Sequence, residues 1–265
     1  MKNKNFFLRP SILPLFTLIV GAVGFILRFL FLRTKVGSLL PVNHPLEIAL
    51  YILTACTLAA LAICVIPLKL LPRRHRRIFR KTFYAPLGCT AAAIGILITG
   101  MQQLLKEQNG LNAILMVLAF VAAICFGFLA FARQKGSRPH YMVHAGIIVY
   151  LMLNLVCQYR VWSPEPQLGL YFFPLMACVC LMFSAYQALC LDLQKEDRRA
   201  YAFFNQAALF FCMVSLAGAQ RYFYLGMGIY CATNLCTMRV SHAYYSSKKS
   251  ETTEVTETAE SGEED

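Results

Sequence analysis

Acidic side chains are scarce in this chain: 13 Asp and Glu stand against 25 Lys and Arg, and seven of those 13 fall within residues 246–265. Only 14% of the 265 residues are charged, where an ordinary soluble domain carries about 25%. No Asp or Glu lies near the middle of any apolar run; Glu47 and Asp192 sit at run ends. That absence weighs against transport driven through an intramembrane carboxylate, and against two-metal or aspartyl catalysis, which needs a carboxylate pair.

Other absences narrow the field further. The loops hold no cysteine: all eleven Cys fall inside apolar runs, where they read as small packing residues and not as a disulfide framework. Cys178-x-Cys180 lacks zinc-finger spacing, and on a helix its thiols point about 200° apart. No HExxH, GxSxG, Walker-type loop or dinucleotide fingerprint occurs, so the sequence names no catalytic residue and no cofactor, and the expectation is a non-enzyme. No Asn-x-Ser/Thr sequon marks a lumenal face.

What the sequence does contain is hydrocarbon. Apolar residues make up 58% of it, in eight runs near the roughly 20 residues of helix that cross a bilayer core: Pro10 to Leu32, Glu47 to Leu71, Tyr84 to Leu105, Leu111 to Ala132, Tyr141 to Tyr159, Gly169 to Leu191, Tyr201 to Ala219 and Tyr222 to Met238. The runs are apolar all round, whereas barrel strands alternate. The first is longer than a secretory h-region, and its small-x-small match, Ala22-Val-Gly24, lies in mid-run, so it reads as a retained span. The fold class is therefore all-α, a polytopic transmembrane helical bundle of eight spans over residues 10–238. Only Gln220 and Arg221 separate the last two runs, a tight turn, so seven spans plus a re-entrant segment is the alternative.

Lys and Arg orient the bundle. Cytoplasmic loops are the richer in them, and the stretch Leu71-Pro-Arg-Arg-His-Arg-Arg-Ile-Phe-Arg-Lys81 is the richest here. With that loop inside, 19 of the 25 cations fall on the cytoplasmic side; Arg28, Arg33, Lys35, Lys106, Arg160 and Arg221 fall outside or in an outer half-span. Both termini are then cytoplasmic: a basic segment over residues 1–9 and a tail over 239–265, acidic and too poor in apolar residues to fold from about 246. The side chains Arg73, Arg74, Arg76, Arg77, Arg80 and Lys81 read as a topology anchor on anionic headgroups, each worth about 1 kcal/mol. Nucleic acid is not an expected partner, because the +12 net charge is spread over loops and not gathered on a groove-shaped face. The expected partners are the bilayer, its anionic lipids, and a membrane protein or a second copy of the chain. A bacterial inner membrane suits a compact chain of this kind.

Polar residues inside the runs are the site candidates. Gly146-Ile-Ile-Val-Tyr150-Leu-Met-Leu-Asn154-Leu and Gly226-Met-Gly-Ile-Tyr230-Cys-Ala-Thr-Asn234-Leu share a Gly-x-x-[Ile/Val]-Tyr-x-x-x-Asn-Leu pattern, and Gln158 extends the first stripe. At helical spacing each stripe lies on one face, which should turn inward because an unpaired amide or phenol in lipid is costly. Interhelical hydrogen bonding explains them; so does the lining of a substrate path. An outer-face cluster of Arg28, His44 and Glu47, joined by Arg160, Glu165 or Arg221, has the cations to hold an anionic group. Arg28 itself is expected to snorkel outward, pairing with Glu47 being the alternative.

Further expectations concern packing. His140-x-x-x-His144 shares a helical face, but two imidazoles are not a metal site, and an interfacial pair is expected. The third and fourth spans carry small-residue stripes, Ala91-Gly95-Thr99 and Ala119-Ala123-Gly127, which let two backbones approach closely and read as scaffold. Gln187, Asn205 and Gln206, near cytoplasmic ends, should be satisfied by water. Two functions compete on these observations: a permease or channel-like protein for a small neutral or anionic solute, and a non-catalytic accessory subunit, sensor or lipid-interacting scaffold. A lipid-modifying enzyme stands third, without a paired acid and base.

Overall fold

A segment apolar on every side can satisfy its backbone in hydrocarbon only by closing i→i−4 hydrogen bonds on itself. The computed structural model describes residues 12–34, 44–66, 84–106, 110–137, 139–162, 171–193 and 198–237, and eight helices account for almost all of them. They are α1 (Ile12–Arg33), α2 (Pro45–Val65), α3 (Tyr84–Lys106), α4 (Gly110–Lys135), α5 (Tyr141–Trp162), α6 (Phe172–Asp192), α7 (Arg198–Ser215) and α8 (Arg221–Thr237). Six, α1 to α6, are long and apolar enough to cross a membrane. The other two have 18 and 17 residues, about 27 Å and 26 Å at the α-helical rise, and stay just short of a core of roughly 30 Å.

Helices α3 to α8 close a ring in chain order. Each packs on its successor, and α8 packs back on α3; α1 and α2 lie outside the ring against α7. Helix α7 is thus surrounded by α1, α2, α6 and α8, which explains why none of its described side chains is exposed although it is less apolar than the others. Phe126, Tyr150, Leu181, Cys212, Tyr230 and Cys231 are among the core residues that fill the ring. The outward surface remains apolar: α4 alone exposes Val117, Phe120, Val121, Ile124, Phe128 and Phe131. An apolar surface of that extent belongs in lipid, and the architecture is that of a helical membrane protein.

Local chemistry sets the helix ends. His44 caps α2, its Nδ1 accepting from the Leu46 amide at 3.3 Å, with Pro45 in the first turn where no amide hydrogen is needed. Helix α4 ends in a left-handed Gly136 at φ 67°, with Gly136 N donating to Arg133 O and Ser137 N to Ala132 O, the paired bonds of a Schellman stop. This stop lies beyond the expected end at Ala132, so Arg133 belongs to the helix and not to a loop. Helix α7 ends at Ser215 and not at Ala219, which leaves residues 216–220 for the turn into α8 and relieves the two-residue connection the sequence suggested. Buried threonines satisfy their hydroxyls on their own helices, Thr54 on Leu50 O at 2.8 Å and Thr99 on Gly95 O at 2.8 Å.

Gly95 on α3 meets the backbone of α8, and Gly100 on the same helix packs against Met116 and Ala119 of α4. A Cβ placed on Gly95 would come 2.6 Å from Tyr222 O, and one on Gly226 would come 2.5 Å from Ala91 O. The stripe expected on α4 does not form as such, because the buried face of that helix runs through Ala119, Ala122, Phe126, Leu129 and Ala130. Gly127 is exposed, and a methyl added there would meet nothing within 4 Å. Gly95→Ala should therefore lower the thermal midpoint in detergent, by about 1 to 3 kcal/mol of overpacking, whereas Gly127→Ala should leave it unchanged or raise it slightly. Thermal denaturation of both purified variants checks this; equal midpoints would refute the α3–α8 contact.

Candidate functional site

Arg133 sits in the last turn of α4, where a cation favours the helix's negative end. Its guanidinium turns into the ring and donates from Nη1 to Asn234 Oδ1 on α8. It also meets the Tyr201 hydroxyl at the start of α7 and lies within electrostatic reach of Asp192, Tyr230 and Cys89. Asp192 closes α6, and its Oδ2 is 2.7 Å from His144 Nε2 in the first turn of α5. Five consecutive helices, α4 to α8, thus each bring one polar side chain to the same end of the ring: Arg133, His144, Asp192, Tyr201 and Asn234. His144, Tyr201 and Asn234 are sealed from solvent, while Arg133 and Asp192 are partly exposed.

The placement is electrostatically demanding. Asp192 and Glu47 are the only acids among the described residues, so Asp192 is the single carboxylate close to both Arg133 and His144 there. His144 engages Asp192 through Nε2, and its Nδ1 is buried without a hydrogen-bond partner; Asn234 engages Arg133 through Oδ1, and its Nδ2 is likewise left over. The two histidines do not act together: His140 is exposed, stacked on Tyr141 at 4.3 Å, with its Nδ1 accepting from Met142 N. Among the described residues no group of three His, Cys, Asp or Glu side chains is placed to hold a metal ion, and all eleven cysteines are free thiols.

The opposite end of the ring carries a second polar group. Gln158 Nε2 donates to Asn154 Oδ1 at 3.0 Å on the same helix and to Gln220 Oε1 at 2.6 Å across to the α7–α8 turn. Arg28 on α1 is buried, its guanidinium 5.1 Å from the centroid of Phe173 on α6 and within electrostatic reach of Tyr51 and Tyr224. Tyr51 in turn reaches Glu47 Oε1 at 3.4 Å. Arg28 therefore does not snorkel: it is buried, and its guanidinium rests on the Phe173 π face instead. Because α1, α5 and α7 end at this face while α2, α6 and α8 begin there, successive helices run antiparallel throughout.

The five residues of the two sequence stripes, Tyr150, Asn154, Gln158, Tyr230 and Asn234, are all buried, but they serve different ends of the ring. Asn154 and Gln158 join Gln220; Asn234 joins Arg133, with Tyr230 packed edge-to-face on Phe126 at 5.2 Å. Of the outer-face candidates, Arg28 and Glu47 both neighbour Tyr51, His44 packs on Phe31, and Arg160 and Arg221 are exposed; Glu165 and the basic stretch Arg73 to Lys81 lie outside the described residues. Asn205 and Gln206 are not satisfied by water as expected. Both are fully buried, with Asn205 Oδ1 and both polar atoms of Gln206 lacking a hydrogen-bond partner, because α7 has no face left for solvent. Gln187 is buried too, its Oε1 unpartnered.

Sequence reasoning misses Arg133, Asp192 and Tyr201 as site residues. From sequence, Arg133 and Asp192 belong at helix ends where water would hold them. The Schellman glycine at Gly136, three residues past Arg133, is the signal that the helix runs on. The chain matches no family model, no curated protein and no solved structure.

Removing Asp192 strands two cationic or cation-forming groups in a low-dielectric interior, so Asp192→Ala should destabilise the detergent-solubilised protein by about 3 kcal/mol. Arg133→Ala should cost a similar amount, and the double variant less than the sum of the two. A thermal or denaturant double-mutant cycle measures that coupling; strict additivity would refute the ion-pair network.

Proposed function

We propose that the protein is a permease for a small polar solute, neutral or anionic, moving along the axis of the α3–α8 ring. One observation carries this reading: buried polar atoms without partners recur along the whole interior, from His144 Nδ1 and Asn234 Nδ2 at one end, through Asn205, Gln206 and Ser215 on α7, to Asn154 Nδ2 and Gln158 Oε1 at the other. A scaffold gains nothing from such atoms, since each costs about 1 to 3 kcal/mol when left unmade in the interior. A protein that exchanges water and solute through its core has a use for them.

On this reading all eight helices cross the membrane. The two short ones are sheltered by their neighbours, which lets them be more polar than lipid contact would tolerate. The positive-inside distribution then puts the Arg133 end of the ring, both termini and the basic stretch Arg73 to Lys81 in the cytoplasm, that stretch against anionic headgroups, and the Arg28 and Gln158 end outside. A bacterial inner membrane is the proposed location.

The test is flux in proteoliposomes. Tyr150→Phe combined with Asn154→Ala should reduce uptake of a transported solute about tenfold or more at unchanged protein level, since two buried hydrogen-bonding groups are lost. A panel of small amides, polyols and carboxylates supplies the solutes. If none enters faster than into empty vesicles, while a membrane protein co-purifies and is lost when the basic loop is neutralised, the accessory-subunit reading replaces this one.

A further inference from the structure

The amides at the end of the ring opposite Arg133 satisfy one another incompletely. Asn154 and Gln158 on α5 keep only 2% and 5% of their surface exposed. Gln158 Nε2 donates to Asn154 Oδ1 at 3.0 Å and to Gln220 Oε1 at 2.6 Å, while Gln158 Oε1 and Asn154 Nδ2 are buried with no hydrogen-bond partner. These two leftover atoms belong to amides that are bonded to each other, so an unmet acceptor and an unmet donor are neighbours. Reversing the amides end for end preserves that: Gln158 Oε1 then accepts from both sides, and Gln158 Nε2 and Asn154 Oδ1 are left over, again one donor and one acceptor. The third amide is placed differently. Gln220 is the last residue of the α7–α8 turn, where Gly218 N donates to Ser215 O and Tyr224 N to Gln220 O, and its side chain is partly exposed. Its carboxamide can therefore rotate away from Gln158 while the backbone of the turn stays in place.

We infer that Gln158 and Asn154 form a binding site for a small primary carboxamide, and that Gln220 occupies this site as a tethered stand-in when no solute is bound. This inference deepens the permease reading by naming a solute class, and rests on it for the movement, though not for the binding. The place already fits the group, because the carboxamide of Gln220 sits there at hydrogen-bond distance. Held by its turn, Gln220 gives an acceptor to Gln158 Nε2 and nothing to Gln158 Oε1. A free carboxamide has no tether. Its oxygen can accept from Nε2 while its own N–H donates to Oε1, a paired arrangement that satisfies the buried acceptor which Gln220 leaves unmet. A carboxylate has no hydrogen for Oε1, and an ammonium has no lone pair for Nε2, so either leaves one end of the Gln158 amide unmet. The solute selected at this end is thus neutral and carries donor and acceptor side by side.

The experiment is thermal denaturation of the full chain in nanodiscs with propionamide or sodium propionate added. Gln220→Ala empties the place its carboxamide fills, and propionamide at roughly tenfold above its dissociation constant should raise that variant's midpoint by about 3 °C and then saturate. Propionate should not. The parent protein should need about tenfold more propionamide for the same rise, because Gln220 has first to be displaced. Adding Gln158→Leu to Gln220→Ala should abolish the response. A Gln220→Ala variant that propionamide leaves unchanged overturns the inference, as does an equal rise with propionate, or a response that survives Gln158→Leu. Should a variant fail to fold, nitrogen NMR of the glutamine-labelled parent protein decides: a side-chain amide signal that shifts saturably with propionamide and not with propionate supports the site, and unmoved signals remove it. Proteoliposome flux separates the two claims: passage of other solutes without propionamide binding leaves the permease and removes this site, while saturable propionamide binding without flux of any solute leaves the site and removes the permease.

Discussion

Hydrocarbon offers no hydrogen bonds, and the internal arrangement of this protein follows from that constraint. Many side chains that can form a hydrogen bond either close it on their own helix, as Thr54, Thr57 and Thr99 do, or turn into the ring. Turning inward places Arg133, Asn154, Gln158 and Asn234 on faces that meet other helices, and those meetings set the rotation of α4, α5 and α8 about their own axes. The apolar residues then cover what remains. Packing between lipid-like side chains has little hydrophobic drive inside a membrane, so helix rotation must be specified by small-residue contacts such as Gly95 with Gly226 and by polar pairs of this kind.

The hydrogen bonds between helices gather at the two ends of the ring, while Asn205 and Gln206 are buried midway along α7. Phe126, Leu151, Leu181 and Cys212 fill the middle, while the charged network and the glutamine pair lie about a turn or two in from either face. Arg133 and Asp192 can lie partly buried because each is near the other and near a helix end whose dipole suits Arg133. An ion pair of this kind contributes little net stability compared with an apolar filling of the same space, whereas removal of one partner strands the other.

Much of the architecture is legible in the sequence because transmembrane helices announce themselves by length and uniform apolarity. All eight helices fall on the eight apolar runs, and the inward turn of Tyr150 and Tyr230 follows from the cost of an unpaired phenol. What is not legible is neighbourhood. Nothing in a single sequence says that α8 returns to α3, and so nothing says that Asn234 meets Arg133, 101 residues away. The burial of α7 is hidden for the same reason: its Asn205 and Gln206 read as wet from composition, and only the four helices around it make them dry. Arg133 and Asp192 escape a reading from sequence because a charge at the edge of an apolar run is ordinarily interfacial, and the exceptions are decided by tertiary contacts.

Magic-angle-spinning NMR of the protein in lipid bilayers tests the central claim most directly, because it reads through-space contacts between side chains at their native depth. Selective labelling of arginine, asparagine, histidine and aspartate should give a cross-peak between the Arg133 guanidinium nitrogens and the Asn234 side-chain carbonyl carbon, and a second between His144 Nε2 and the Asp192 carboxyl carbon. An Arg133 guanidinium that correlates only with water or lipid phosphate, with His144 likewise free of Asp192, would contradict the account.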